Sequence, residues 1–239
     1  MNMKLPFLIS VPHAGLTVPS EVRKICQLTK EEIIEDGDRG AADIYYPLKN
    51  KVKGFVTTDV ARAIVDMNRA ERDIRKDGVI KTHTCWDVPV YRTFPSDKII
   101  NTMFEKYYRP YHAELKKISQ EVILGIDCHT MAAVGPPVGP DANMRRPLIC
   151  ISNADGTCSQ EWMRSLGSCL EEFFKVKVSV NNPFTGGYII KSHFYQRPWV
   201  QVEFSRADFM SNKEKSNLFF SSLKKWYEML TKKEIRMFY

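Results

Sequence analysis

The pattern of hydrophobic and polar positions divides the chain into short apolar runs and longer amphipathic segments. Apolar runs of four to eight residues bounded by turn-forming residues are typical of buried strands. We predict strands at residues 5–11, 54–60, 62–67, 122–127, 147–152, 176–180, 187–191 and 200–204, the second and third forming two strands or one bent strand.

Helical spacing of apolar residues marks the segments between these runs. Two helices open on a capping box, in which a Ser or Thr is followed three positions later by Glu: Thr29 with Glu32, and Ser211 with Glu214. We predict helices at residues 29–35, 41–49, 96–120 with a kink at Pro110, 159–174, and from 211 onward. Residues 73–95 and the Pro- and Gly-rich stretch 135–147 are predicted as loops.

Strands alternating with helices favour an α/β fold with a largely parallel, mixed sheet covered by helices. No linker, internal repeat or low-complexity tract interrupts the 239 residues. We therefore expect residues 1–239 to form a single domain, with residues 211–239 as a basic C-terminal helix.

Composition narrows the functional classes. The chain is 44% hydrophobic and 26% charged, and it has neither a run of about 20 apolar residues nor a secretory signal. Six scattered cysteines favour a reduced, cytoplasmic protein. Of the net charge of +7, the segment from Ser211 contributes +4, with seven Lys/Arg against three Asp/Glu. This charge is typical of a solvated helix face, although it would also suit an anionic partner.

Polar side chains follow several of the predicted strands. In open α/β sheets, sites form where strands end and loops begin. The residues in such positions are His13, Asp66, Asn68, Arg69, Asp127, His129 and Glu203. Two of the five histidines therefore lie at strand ends, which makes a shared metal site as plausible as two separate structural roles.

Metal-dependent hydrolysis needs a small set of groups that this chain offers. Catalytic zinc takes three protein ligands, often two imidazoles and a carboxylate, and a further carboxylate accepts the proton of the attacking water. His13, His129, one acid and Glu203 would meet this need. Glu203 lies in an apolar strand, so it requires either a function or a buried partner such as Arg206.

Seven segments stand in a fixed order along the chain: SVPHAGLTVP, DGDRGAADIYY, ARAIVDMNR, YYRPYHAEL, GIDCHTM, NNPFTGGYI and VQVEFSRADFM. In this order they resemble the N-formylglutamate amidohydrolase family, and the resemblance extends from about Leu5 to Met210. The family is similar to the zinc carboxypeptidases and succinylglutamate desuccinylases. The resemblance implies a three-layer α/β/α sandwich on a mixed sheet and hydrolysis of an amide on an acidic amino acid.

The resemblance also implies roles for individual residues. His13 and His129 would bind one Zn²⁺ per chain, and Glu203 would be the general base and acid. The zinc carboxypeptidases have an acid three positions after the first histidine, where this chain has Leu16. Asp38 in DGDRG is the family-matched acid and our choice of third ligand. The alternatives are Asp36 and Asp127, and Asp127 is better suited to orienting a ligand from outside the coordination shell.

An acidic substrate calls for arginines, because the planar guanidinium pairs with carboxylates in a bidentate manner. Arg62, Asn68 and Arg69 lie in the family segment ARAIVDMNR, and we expect all three to bind substrate. On a flat strand Arg62 and Arg69 would point to opposite faces, so the strand must end or bend near Asn68. Gly186 and Gly187 would allow close backbone approach to the substrate, although a glycine pair is also typical of a hairpin turn.

We thus expect a zinc-dependent amidohydrolase that converts N-formyl-L-glutamate to formate and L-glutamate in amino-acid catabolism. A deacylase or carboxypeptidase acting on another acidic N-acyl or peptide substrate is the nearest alternative. A non-catalytic module that binds anionic polymers through the basic C-terminal helix ranks lower, since no nucleic-acid-binding motif is recognised. We expect no membrane partner, and His193 has no assigned role.

Overall fold

A six-stranded sheet lies at the centre of the part of the chain that the computed structural model describes, residues 4–139 and 141–236, with side chains up to residue 231. Its strands are β1 (Leu5–Val11), β2 (Val52–Thr57), β3 (Leu124–Met131), β4 (Ile149–Ser152), β5 (Val178–Val180) and β6 (Trp199–Ser205). Their order is β2-β1-β3-β6-β4-β5. Every neighbouring pair is parallel except β4 and β6, which confirms a mixed, largely parallel sheet.

Helices connect the strands and cover the sheet. They are α1 (Lys30–Asp36), α2 (Ala41–Tyr45), α3 (Asp97–Met103), α4 (Arg109–Ser119), α5 (Gln160–Phe174), α6 (Tyr188–His193) and α7 (Asn212–Arg236). Both capping boxes form, at Thr29 and at Ser211. The irregularity expected at Pro110 is a π-helical turn, Phe104–Tyr108, between α3 and α4. Among the described residues, no helix is both long enough and apolar enough to cross a bilayer.

The alternation of side chains along the strands separates two apolar layers. Phe7, Ile9 and Val11 of β1 belong to a core shared with α2, α5 and α7, whereas Leu8 belongs to a second core shared with α4 and α6. A period of two is the expected consequence of strand geometry. The sheet thus lies between two helical layers, as the predicted α/β/α sandwich requires.

Helix α7 is an integral part of the first core. The ring of Trp226 stacks on Phe7 at a centroid distance of 5.4 Å, and Phe219 and Leu223 are fully buried. Lys215 is also buried, and its ammonium group donates to the backbone oxygen of Ser205. The predicted C-terminal helix is therefore present from Asn212 to Arg236, and residues 237–239 lie outside the described residues.

The face of the sheet that points toward α4 and α6 carries a group of polar side chains. Asp127 and His129 of β3 point to this face, because their neighbours Ile126 and Cys128 point into the other core. Glu203 of β6 is in register with His129 on the adjacent parallel strand. Since paired strands lie about 4.8 Å apart, this register alone brings the two side chains together.

Two predicted strands are wrong. Residues 62–67 form successive turns, in which the backbone N–H groups of Ile64 and Val65 donate to the carbonyl of Ala61. This coiling brings Arg62 and Asp66 into an ion pair, which a strand would prevent because four residues span about 13 Å there. The sheet therefore ends before this segment.

The segment at 187–191 is also not a strand, and the glycine pair does not form a hairpin turn. Gly187 is the N-cap of α6, and its N–H donates to the side-chain oxygen of Gln201. The N–H of Ile189 donates to Asn68. These contacts satisfy the free N–H groups of the first helical turn, so tertiary contacts override the strand preference of the isoleucines.

Candidate active site

Three side chains from distant parts of the chain meet at the carboxyl end of the central strands. His13 follows β1, Asp38 lies between α1 and α2, and His129 is in β3. Each offers one ligand atom, and these atoms all lie within 4.8 Å of one another. The two imidazole rings have centroids 4.9 Å apart, and all three residues are buried. Such a set of donors is typical of a site for a divalent metal ion.

Each histidine has a carboxylate on its outer side. The Nε2 atom of His13 lies 2.7 Å from Oδ1 of Asp66, and Nε2 of His129 lies 2.8 Å from Oδ2 of Asp127. Because ionised carboxylates only accept hydrogen bonds, each Nε2 must carry a proton. In the neutral rings, the lone pair is then on Nδ1, which in both residues points toward Asp38.

The atoms at the centre of this cluster, the two Nδ1 atoms and the carboxylate of Asp38, need a positive charge between them. Oδ2 of Asp38 lies 2.9 Å from Nδ1 of His129 and 3.6 Å from Nδ1 of His13, and the latter atom is buried without a hydrogen-bond partner. Two lone pairs and a carboxylate facing one another repel unless a proton or a metal ion lies between them. The donor set therefore fits a resident metal ion.

The electrostatics follow from this arrangement. Burial alone would raise the pKa of Asp38, but the nearby imidazoles of His13 and His129 outweigh burial and hold that pKa well below its ordinary value. Burial alone would lower the pKa of His129, but the carboxylates of Asp127 and Glu203 raise it well above its ordinary value. The carboxylates around the two rings therefore favour a positive charge at this point.

Asp36, the first alternative for the third metal ligand, has other partners in the structure. Asp36 is fully buried, with Oδ2 2.9 Å from Nζ of Lys81 and Oδ1 accepting from the N–H of Cys85. Its carboxylate therefore anchors the loop 73–95. The carboxylate of Asp38 accepts a hydrogen bond from the backbone N–H of Thr130 in β3.

Glu203 lies beside the histidine cluster with one hydrogen-bond partner from its own strand. Nε2 of Gln201 donates to Oε1 of Glu203 at 2.8 Å. Burial raises the pKa of Glu203 to about 7. The ion pair with Arg206, considered from the sequence, does not form among the described residues, because the guanidinium of Arg206 contacts the backbone oxygen of Glu35. A buried carboxyl group with a pKa near neutrality is suited to proton transfer.

A cavity of about 590 Å³ opens above the cluster. Its lining includes the two histidines, four acids (Asp38, Asp73, Asp77 and Glu203) and six basic side chains: Arg62, Arg69, Arg75, Arg146, Lys191 and Arg206. The volume suits a small molecule, and the excess of basic over acidic side chains favours an acidic one.

The predicted substrate-binding residues all line this cavity, and most of them also make contacts inside the protein. Nε of Arg62 lies 3.1 Å from Oδ2 of Asp66, and NH2 of Arg69 lies 3.2 Å from Oδ2 of Asp77. On a flat strand these two side chains would point to opposite faces. Because residues 62–67 form turns instead, both guanidinium groups reach the same cavity.

Asn68 is packed between the metal cluster and α6. Its amide nitrogen lies 3.1 Å from Oδ2 of Asp127, and its amide oxygen accepts from the N–H of Ile189. A Cβ atom added at Gly187 would lie 2.3 Å from this amide nitrogen, while Gly186 has a φ of +130°, which favours glycine. The two glycines therefore allow α6 to begin against Asn68.

Three features of the site did not follow from the sequence. The sequence marks Asp66 only as a polar residue at the end of a predicted strand, since nothing in the sequence pairs it with His13. It indicates Arg206 only as a partner of Glu203. His193 forms a stacked pair with His112, in which Nε2 of His193 lies 3.0 Å from Nδ1 of His112 behind the site.

Comparison with known proteins decides the family. The sequence profile of N-formylglutamate amidohydrolase matches residues 5–210. The chain belongs to the N-formylglutamate amidohydrolase family. It is accordingly a hydrolase acting on a carbon–nitrogen bond other than a peptide bond. A search of curated protein sequences found no significant match.

Two solved structures resemble the chain in fold. One is N-formylglutamate amidohydrolase from Ralstonia eutropha JMP134, with 20% identity, a TM-score of 0.70, and coverage of 95% of this chain and 92% of that one. The other is gene product Atu2144 from Agrobacterium tumefaciens, with 15% identity, a TM-score of 0.73, and coverage of 95% and 91%. The α/β fold is therefore shared with a protein of the N-formylglutamate amidohydrolase family.

Proposed function

We propose that this protein hydrolyses the amide bond of an N-acyl acidic amino acid in a zinc-dependent reaction, with N-formyl-L-glutamate as the preferred substrate and formate and L-glutamate as products. The observation that carries the proposal is the cluster of His13, Asp38 and His129 beside Glu203 in a cavity with a basic lining. Membership of the N-formylglutamate amidohydrolase family supports the same reaction.

The proposed metal site consists of Nδ1 of His13, Nδ1 of His129 and the carboxylate of Asp38. Its support is the buried Nδ1 of His13, which has no hydrogen-bond partner among the described residues. Zinc bound there, one ion per chain, would polarise the formyl carbonyl and lower the pKa of a water molecule to about 7. Asp66 and Asp127 would hold the rings in the tautomer that leaves Nδ1 free.

Glu203 is the proposed general base and general acid. Its carboxylate would accept the proton of the attacking water and then deliver that proton to the nitrogen of the departing amino acid. The raised pKa of about 7 suits both steps, because the group exchanges a proton readily near neutral pH. Its burial also keeps bulk water away from the reacting atoms.

The proposed substrate contacts come from the arginines and from the turn before α6. Arg62 and Arg69 would bind the substrate carboxylates, and Asn68, which lines the cavity beside them, would also contact the substrate. Gly186 and Gly187 would leave room for the substrate next to α6. Since each of the two arginines already contacts one aspartate, the guanidinium groups are fixed in place before the substrate arrives.

The activity test uses purified, zinc-loaded protein with N-formyl-L-glutamate and N-formyl-L-glutamine, and it measures the release of formate. We expect turnover of the glutamate compound and a loss of at least about 30-fold in kcat/KM for the glutamine compound, because an arginine then lacks its carboxylate. No turnover of either compound would reject the proposed function, and equal turnover would reject the arginine contacts.

The metal test measures the zinc content of the protein as purified. We expect about one zinc ion per chain, and we expect His13→Ala and His129→Ala to lose it because each removes a ligand. The matched control is His83→Ala, since His83 lies away from the cluster and contacts Thr82. Full zinc content in the double variant of His13 and His129 would reject the site.

We also propose that the protein acts in a reducing compartment such as the cytoplasm, in the breakdown of amino acids. All six cysteines are free thiols, and four of them are buried. Free thiols persist where the surroundings keep them reduced.

A further inference from the structure

Arg206 is a half-buried arginine without a carboxylate partner in the part of the chain that the structure describes. It follows β6, three positions after Glu203, and it lines the same cavity as the histidine cluster. Its Nε atom is buried and has no hydrogen-bond partner within residues 4–139 and 141–231. Its NH1 atom makes one long contact of 3.4 Å, with the backbone oxygen of Glu35.

The other arginines of the cavity differ from Arg206 in this respect. Each pairs with an aspartate at 3.2 Å or less: Arg62 with Asp66, Arg69 with Asp77, Arg75 with Asp73, and Arg146 with Asp141. A buried guanidinium is costly unless its charge and its donors are satisfied. Arg206 therefore has bonding capacity that the protein itself does not use.

The charges around Arg206 also favour the binding of an anion beside it. Burial lowers the pKa of its guanidinium, and the positive charge of Arg62 lowers it further, while Asp38 and Glu35 act in the opposite direction. The negative charge of Asp38 is already engaged with the two histidines. An added carboxylate between Arg62 and Arg206 would relieve the repulsion between the two cations.

A purely structural role explains little of this arrangement. The carbonyl of Glu35, which is the hydrogen-bond acceptor for Arg206, already accepts a shorter bond of 3.1 Å from Nε1 of Trp86. Retaining that carbonyl contact does not require a guanidinium whose Nε is buried.

We propose that Arg206 is a substrate-binding residue, whose guanidinium receives one carboxylate of the acidic substrate on the side of the cavity that it shares with Arg62. This inference rests on the proposed function, since it concerns the same cavity and an acidic substrate. It adds a specificity-determining residue to the set drawn from the sequence, in which Arg62 and Arg69 were the carboxylate-binding arginines.

The test measures binding of L-glutamate, the proposed product, to the zinc-loaded protein by titration calorimetry. We expect Arg206→Met to weaken binding by at least about 30-fold, because it removes a desolvated charge partner. Arg206→Lys keeps the charge but loses the planar fork, so we expect a smaller loss. The matched control is Arg39→Met, because Arg39 also contacts Glu35 but through an exposed ion pair.

Two amides of the same ligand identify the contact. L-glutamine lacks the side-chain carboxylate, and the α-amide of glutamate lacks the other. We expect Arg206→Met to weaken the binding of one amide and to leave the other unaffected, since that amide already lacks the group that Arg206 binds. A similar loss for glutamate and both amides would indicate a structural role and overturn the inference, as would unchanged binding of glutamate.

The inference and the proposed function fail in different ways. Absence of formate release by the native protein, with glutamate binding that still depends on Arg206, would reject the reaction and retain the carboxylate contact. Formate release by the native protein, with Arg206→Met equal to Arg39→Met in glutamate binding, would retain the reaction and reject the contact. Melting temperatures of all variants identify any loss that comes from unfolding.

Discussion

His13 and Asp66 are 53 positions apart in the sequence, and their side chains meet at 2.7 Å between Nε2 and Oδ1. Burial alone would raise the pKa of Asp66, but His13 and Arg62 hold it well below its ordinary value, so the carboxylate is ionised. It therefore fixes the proton on Nε2 of His13 and leaves Nδ1 to face Asp38. His129 and Asp127 repeat this relationship on the other side of the cluster.

The variant Asp66→Asn tests this relationship. The amide keeps the size of the side chain but removes the negative charge, which makes Nδ1 of His13 a weaker ligand. We expect zinc affinity to fall about 10- to 100-fold, as is typical for partners of metal-bound histidines. Competition with a chelator measures the affinity, and the exposed residue Asp59 supplies the control Asp59→Asn. Unchanged zinc affinity in Asp66→Asn would contradict this interpretation of the hydrogen bond.

The variant Glu203→Gln separates a proton-transfer group from a metal ligand. The amide cannot accept the proton of water, so we expect kcat to fall by at least about 10²–10⁴-fold while zinc content and KM change little. If Glu203 is a ligand instead, zinc content falls and added zinc partly restores the activity. A stable, zinc-replete and fully active variant would reject the proposed mechanism.

Gly187→Ala tests the packing of α6 against the site. The new Cβ would lie 2.3 Å from the amide of Asn68, which must move and release Asp127. Since small displacements of positioning groups are costly, we expect kcat/KM to fall about 100-fold. Gly156→Ala is the control, because its added Cβ would meet no atom within 4 Å. Equal activity of the two variants would show that Asn68 can move without consequence.

The stacked histidines predict a dependence of stability on pH. Nε2 of His112 contacts the carbonyl of Met67, so it carries the proton, and Nδ1 must accept from His193. Burial, together with the charge of His193, lowers the pKa of His112 to about 4. Because the unfolded chain takes up this proton at about pH 6.5, the stabilisation is complete above that pH and is lost as the pH falls toward 4.

This dependence is measurable from denaturant unfolding between pH 7 and pH 4. We expect the free energy of unfolding to fall less steeply with pH in His112→Gln than in the native protein, because the variant has no group that titrates at this position. His83→Gln removes a half-buried histidine elsewhere and serves as the control. Equal slopes in the native protein and His112→Gln would contradict the assignment.

The sequence predicts the sheet well because its strands are continuous apolar runs. The predicted run 200–204 lies within Trp199–Ser205, and 5–11 agrees with Leu5–Val11. The wrong predictions at 62–67 and 187–191 have one cause, which is that their conformations depend on distant partners. The backbone N–H of Asp66 donates to the carbonyl of Val79, and that of Ile189 donates to the side-chain oxygen of Asn68. Neither contact can be recognised from the neighbouring residues in the sequence.

The sequence likewise predicts some residues of the candidate site and not others. The two histidines and Glu203 were found because they interrupt or follow apolar strands, which is visible in the sequence. Asp66 and Arg206 carry no such signal, because their importance comes from what surrounds them in three dimensions: a histidine ring in one case, and the absence of an acid among the described neighbours in the other.

The position of β6 in the sheet has a consequence for the folding of this protein. It is the last described strand in chain order, yet it lies between β3 and β4 in the interior of the sheet. Until residues 199–205 join the sheet, β3 and β4 each have one edge with unpaired backbone groups, and such edges are templates for aggregation. Insertion of β6 closes both edges and brings Glu203 beside His129 in the same event.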